Sequence, residues 1–565
     1  MGLAEGAAET KEVRVGDTVF TGTIITMAHA QDPLAPDDLV LGEAGEVEAM
    51  LVRDGRVVAT GSRAAMLTLA GPGAAPVELP GVVFPGLIEP HGHPTNSALF
   101  LSEFTVDVRP VVVPDAAGVL DAIHAALAAG PRTLFVNGWD ALLQRGLPAP
   151  DRALLDAWAP ETPLVILHNS GHSAYFNSAA ATLAGIDAGT PDPPGARFLR
   201  DAEGELSGVA QETAAVQRVV LAVAGEAEAQ LPHLIGEHLA ELSSLGYTTV
   251  ADLGWDPEVE PVISALRAGG RLPLRLRVYE MSRPGGRAQA ELVNGDEFLR
   301  QVGVKVWSDG SPWVGNIATS FPYLDTPATR ALGLAPGHRG EANFTREQLI
   351  DIGDGYVPEG WQLACHAHGD LAVSDTLDAF ETLIERYDLG DHRLRLEHVG
   401  AMTPEQFRRA ASLGVTASVF VDHITYWGEV LVDDLFGQEH GSAWADAGAA
   451  FAAGVRATFH NDGWVTPNEP FQNMAVAEHR TSRGGRHLDG GAPVSRANAL
   501  RAHTVNAAWQ LFSEHEVGAL APGLFADFVT LDRDPRRVSP EELAGTRVTG
   551  TWLAGARAVS DSSAE

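Results

Sequence analysis

At 565 residues the chain is long enough for one large domain and a smaller companion. It is 45% hydrophobic and 20% charged, with a mean hydropathy near zero, a formal charge of −35 and a pI of about 4.8. Acidity on that scale excludes nucleic acid as a partner, because phosphate binding needs a basic surface, and no apolar run approaches the length of a membrane span.

The chain starts MGLAEGAAETKEVRVG, which has neither the basic start nor the apolar core of a signal peptide. A single cysteine, Cys365, permits no intrachain disulfide, so a cytoplasmic location is expected. Short β-like runs follow, TVFTGTIITM and EAMLVRDGRVVATG, separated by turn residues such as Asp54-Gly55. The same texture returns at the far end in ADFVTLDRDP and RVTGTWLAGARAV. Residues 1–82 and 511–565 are therefore predicted to build one small β-sandwich from both termini.

Residues 83–510 read differently. Eight short apolar runs, each followed by a loop and helical material, lie at 86–91, 248–254, 274–280, 302–310, 363–370, 394–400, 415–420 and 456–462. Thr403-Pro404 with Gln406 makes a capping box that starts a helix predicted to run to Gly414, and Leu371 to Tyr387 carries apolar residues at helical spacing. Eight β-then-α units are the arithmetic of an α/β (β/α)8 TIM-like barrel, whose active site lies at the C-terminal ends of its strands. An insert of about 100–225 interrupts the barrel after its first strand, with strand-like runs of its own in TLFVNGWD and PLVILHN.

Polar residues gather at those strand ends. His91 and His93 close the first run, and in an extended strand residues i and i+2 face the same side, so both imidazoles can reach one metal. The chain has only two lysines, Lys11 and Lys305, and arginine elsewhere carries the positive charge. Lys305 sits in VGVKVWSDGS, which reads as a buried strand, where a compact reactive amine and a guanidinium are not interchangeable. His366 and His398 lie near the ends of the fifth and sixth runs and Asp462 at the end of the eighth. In a barrel these six residues meet at one mouth, and a set of N and O donors with positions left for water is the pattern of a catalytic metal site.

PGLIEPHGHP, the Lys305 strand, HAHGD (366–370), EHVG (397–400) and HND (460–462) together resemble the amidohydrolase superfamily of metal-dependent hydrolases. GWD (138–140), GHSAYFNSAA (171–180), DPPGARFLRDAEGELSGVAQE (192–212), HTVNAAW (503–509) and GLFADFVTLDRDP (523–535) are similar to its amidohydrolase 3 group, which includes N-substituted formamide deformylases. That resemblance implies two Zn2+ ions, one held by His91 and His93 and the other by His366 and His398. It implies that Lys305 is carboxylated by CO2 to bridge them, and that Asp462 binds the first ion and serves as general base. The family pattern takes the first histidine of HAHGD as ligand, leaving His368 as a pocket residue, and gives Asp370 a neighbour to orient by hydrogen bonding.

The reaction so implied is hydrolysis of a non-peptide C–N bond in an amide, N-formyl or N-acyl compound. A deaminase or a lactone or ester hydrolase on the same site is the alternative, and a non-catalytic binding protein on the same fold is the remote one. Trp139, Trp307, Trp313, Phe321, Tyr323, Trp427 and Trp464 are placed by sequence near the loops that rim the mouth, which predicts a partly apolar small-molecule substrate. His172, in GHSAYFNS, is expected to contact that substrate; His168 and Glu89 are read as structural. A homodimer is the default expectation for a soluble enzyme of this size.

Overall fold

The computed structural model describes residues 17–72, 74–282 and 295–558, with the side chains of Glu226 and Glu228 excepted. Eight strands form one parallel sheet: β1 (Leu87–Gly92), β2 (Tyr247–Trp255), β3 (Arg275–Met281), β4 (Leu299–Trp307), β5 (Gln362–Ala367), β6 (Arg395–His398), β7 (Thr416–Val419) and β8 (Ala457–Phe459). Each pairs with its successor in order, giving the nearly closed barrel that the eight runs predict. Every residue of β1, β5, β6, β7 and β8 is buried. Helices cover one face and side chains fill the interior, which is why these strands read as continuous apolar runs rather than alternating ones.

The seam between β8 and β1 carries no ladder of its own among the described residues. Other groups close it. Glu89 accepts from the Asn461 backbone N–H at 3.3 Å and the Tyr247 hydroxyl at 3.2 Å, so one buried carboxylate joins β1, β2 and the end of β8. From the HTVNAAW segment, the His503 carbonyl accepts from Ile88 N–H (2.9 Å) and Asn506 Nδ2 donates to the Ala457 carbonyl (3.0 Å). That segment thus acts as a clasp across the seam.

Both ends of the chain contribute to a second sheet of seven strands, ordered 556–557, 548–553, 528–531, 76–85, 18–25, 46–53 and 56–61. Among the described residues these strands form a single sheet. The insert has a six-stranded sheet of its own, including Leu134–Trp139 and Leu164–His168 where the sequence shows TLFVNGWD and PLVILHN. No helix among the described residues is long and apolar enough to cross a membrane.

The capping box forms as predicted: Thr403 Oγ1 accepts from Gln406 N–H, and Gln406 Oε1 accepts from Thr403 N–H at 2.9 Å. The helix spans Pro404–Ser412, two residues short of the Gly414 boundary. Thr403→Ala is expected to lower stability by about 1 kcal/mol without changing activity, which thermal unfolding and an assay on the same preparation will check.

Candidate active site

The six sequence-predicted donors converge at the C-terminal mouth of the barrel. His91 is fully buried, and its Nδ1 lies 2.5 Å from Glu397 Oε2. Glu397 is in turn gripped by Arg395, whose Nη2 also donates to the Pro90 carbonyl at 3.0 Å. A carboxylate on Nδ1 fixes the ring proton there and turns the Nε2 lone pair to the centre of the barrel. That Nε2 lies 3.0 Å from Lys305 Nζ and 3.6 Å from Asp462 Oδ1, and His93 Nε2 lies 3.2 Å from the same oxygen.

On the other side, His366 Nε2 faces the Gly310 carbonyl at 2.8 Å, which takes the ring proton and leaves Nδ1 to look inward. His398 packs against His366 with ring centroids 4.4 Å apart, and its Nδ1 lies 3.0 Å from His460 Nε2 and 3.9 Å from Asp462 Oδ2. The backbone is strained where it aims these groups: φ is +68° at His398 and +53° at Asp462. Non-glycine residues hold such angles only where the surroundings impose them, and they cluster at functional sites. The predicted eighth run reaches Asp462, but β8 ends at Phe459, so Asp462 is carried by the turn after the strand.

Electrostatics favour ligation. Burial above all pushes the imidazoles of His91, His366, His368, His398 and His460 well below the usual histidine range, so each keeps a free lone pair at neutral pH. Burial also lowers Lys305, to about 8, which brings the neutral amine within reach near neutrality. Burial alone would raise Asp462, but its hydrogen bond from His93 and the positive groups around it hold it down at about 2. His93 Nδ1 and His368 Nδ1 are buried with no hydrogen-bond partner. Three donor sets, His91–His93–Asp462, His91–His398–His460 and His366–His368–His398, each lie within 4.8 Å of one another. Clustered neutral imidazoles beside an ionised carboxylate fit a divalent metal.

A cavity of about 170 Å³ opens onto these donors and is lined by His93, Lys305, His366, His398 and Asp462. Two of the predicted substrate contacts line it as well, His172 and Trp307, the latter with its ring centroid 5.4 Å from Lys305 Nζ. His172 comes from the insert, with Nδ1 2.9 Å from Glu212 Oε2 and its ring centroid 4.7 Å from that of His366. The other three predicted contacts do not line it. Trp139 is buried in the core of the insert, Trp313 stacks on Trp427 at 4.6 Å, and His368 stacks on His398 at 4.8 Å. Trp464 lines the cavity and packs on His93 at 5.3 Å. Asp370 accepts from Ser320 N–H (2.8 Å), while Asp309 receives the backbone N–H groups of His368 and Gly369 at 2.9 and 2.8 Å. Burial raises Asp309 to about 7.

Sequence reasoning missed four participants: Arg395, Glu397, Glu212 and His460. Arg395 and Glu397 stand two apart in the wholly buried strand Arg395–His398, so they share a face and each demands a partner. His460, which links His398 to Ser418 Oγ at 3.0 Å, offered only its place two residues before Asp462.

A parallel eight-stranded barrel with histidine, lysine and aspartate donors gathered at the C-terminal ends of its strands is the architecture of a metal-dependent hydrolase. Residues 81–559 match the amidohydrolase family model, and the chain belongs to that family. It is 27% identical over 526 residues to the N-substituted formamide deformylase of Arthrobacter pascens, covering 90% of this chain and 94% of that one. It is 25% identical to the putative amidohydrolase YtcJ of Bacillus subtilis (strain 168), covering 91% and 96%. Among solved structures, an uncharacterized metal-dependent hydrolase from Pyrococcus horikoshii OT3 matches in fold with a TM-score of 0.68, 23% identity, and coverage of 93% of this chain and 99% of that one.

Proposed function

We propose that this protein hydrolyses a non-peptide C–N bond, in an amide, N-formyl or N-acyl compound, with a divalent metal centre, zinc by preference, at the barrel mouth. The observation that carries the reading is the position of Lys305. The chain's one barrel lysine is buried with Nζ 3.0 Å from His91 Nε2, within a ring of neutral imidazoles and an ionised aspartate. A formamide deformylase among the relatives supports the C–N assignment.

His91, His93 and Asp462 would hold one ion and His366 and His398 a second, with Lys305 between them as a carbamate. Metal bound there would supply a water acidified to ionise near neutrality and a Lewis acid for the substrate carbonyl. The chain's own residues do the rest. Asp462 accepts a proton from the attacking water, whose oxygen bonds to the carbonyl carbon, and returns it to the departing nitrogen as the C–N bond breaks. Glu397 and the Gly310 carbonyl hold the His91 and His366 tautomers, and residues of the insert, His172 among them, wall the cavity.

Zinc-loaded protein assayed against a panel of amides, formamides, lactones and aminopurines tests the reading: release of a free amine from the amides or formamides is expected, and turnover confined to lactones or aminopurines would overturn it. Glu397→Gln, which removes the carboxylate behind His91, is expected to weaken metal binding by roughly 10–100-fold in competition with a chelator.

A further inference from the structure

Asp462 is carried by a turn rather than by a strand, and the insert grips that turn. The Asp462 carbonyl accepts from Val465 N–H at 2.9 Å, which closes the turn. The next three carbonyls each meet a side-chain donor from elsewhere in the chain. Ser97 Oγ, in the helix Pro94–Phe100 after β1, donates to Gly463. Two donors come from the insert: Arg109 Nη1 reaches the Trp464 carbonyl at 3.1 Å, and Asn169 Nδ2 the Val465 carbonyl at 3.3 Å. A φ of +53° at a residue other than glycine persists only where the surroundings over-determine it, and these three donors supply that constraint.

The two insert donors are themselves fixed. The Arg109 side chain is 13% exposed, and the Asp107 carboxylate accepts from its Nε at 2.9 Å and its Nη2 at 2.7 Å. A guanidinium is a rigid fork, so pairing along that edge aims Nη1 at the turn. The Arg109 backbone packs against Gly138, whose φ is +110° and where a Cβ would lie 2.4 Å from the Arg109 nitrogen and Cα. Asn169 N–H donates to the Trp139 carbonyl at 2.9 Å. Gly138 and Trp139, of the GWD motif, thus seat both donors. Gly171, of GHSAYFNSAA, admits the Trp464 indole, which a Cβ there would meet at 2.8 Å.

We propose that the insert positions the metal-binding aspartate: Arg109 and Asn169 brace the turn after β8 and so hold the Asp462 carboxylate where it can share an ion with His91 and His93. The proposal rests on the reading of Asp462 as a ligand. Asp462 Oδ1 lies 3.2 Å from His93 Nε2 and 3.6 Å from His91 Nε2. Metal–ligand bonds tolerate only about 0.2 Å of misplacement, so a small shift of the turn is felt at the ion. The insert then has a task beyond walling the cavity, and Arg109 and Asn169 are positioning residues that act through Asp462.

The test is the zinc retained per chain as chelator is raised, measured for the wild type, Arg109→Met, Asp462→Ala and the double variant. Arg109→Met keeps the stem and removes the donor, and is expected to weaken zinc binding by roughly 10–100-fold, the range for loss of a group that orients a ligand. In the Asp462→Ala background the same change should add nothing further, because the carboxylate it positions is gone; a merely structural role would cost the same in both backgrounds. Should thermal unfolding show that Arg109→Met does not fold, Asn169→Ala goes through the same cycle with the same expectation. Unchanged zinc binding, or a loss as large in the Asp462→Ala background as in the wild type, would overturn the proposal and leave the reading of the site untouched. Zinc held as tightly by Asp462→Ala as by the wild type would instead sink the reading of Asp462 as a ligand, and the proposal with it.

Discussion

Asp462→Asn is expected to lower kcat/KM for amide hydrolysis by about 10²–10⁴-fold, the range for loss of a positioned general acid–base. Asp462 is suited to the role by its surroundings: Oδ1 lies 3.2 Å from His93 Nε2 and 3.6 Å from His91 Nε2, and its carboxyl is held at about 2. It is therefore ionised, and ready to accept a proton, across the neutral range. Asn keeps the shape and one oxygen but cannot take up and return a proton. Parallel measurement of metal content separates lost proton transfer from lost metal. A variant that keeps its metal and its activity would remove Asp462 from the mechanism.

Lys305→Arg is expected to do more. Arg retains the charge but cannot form a carbamate, and its planar fork needs space that a side chain only 1% exposed does not have. With the bridge gone, metal content should drop from about two ions per chain to about one or none, and turnover should fall to near background. Elemental analysis after expression with added zinc and bicarbonate gives the first number, and the amide assay the second. About one ion in both proteins would mean that Lys305 is not a bridge, and would bring single-metal chemistry such as deamination forward.

The barrel and the gathering of the six candidate ligands at its mouth were legible in the sequence for one physical reason. Parallel strands covered on both faces must be apolar, so a His, Lys or Asp near the end of such a run stands out, and the barrel geometry then places all of them at one mouth. Side-chain direction was not legible in the same way. Trp139 closes its strand in the insert as Trp307 closes β4, yet it turns into the core of the insert, and Trp313, in the loop beyond β4, stacks against Trp427. The supporting shell was hidden because its members are far apart in the chain: Glu397 reaches His91 across 306 positions, and Glu212 reaches Asn343 across 131. HTVNAAW was recognisable as a motif, but its work as a clasp between β1 and β8 emerges only once the seam is seen.

The most direct test of the central claim is amide or formamide hydrolysis by the same preparation before metal removal, after exhaustive chelation, and after zinc is restored. The account predicts that activity falls to background on chelation and returns with zinc, in proportion to the metal bound per chain. Hydrolysis that persists undiminished in metal-free protein would contradict it.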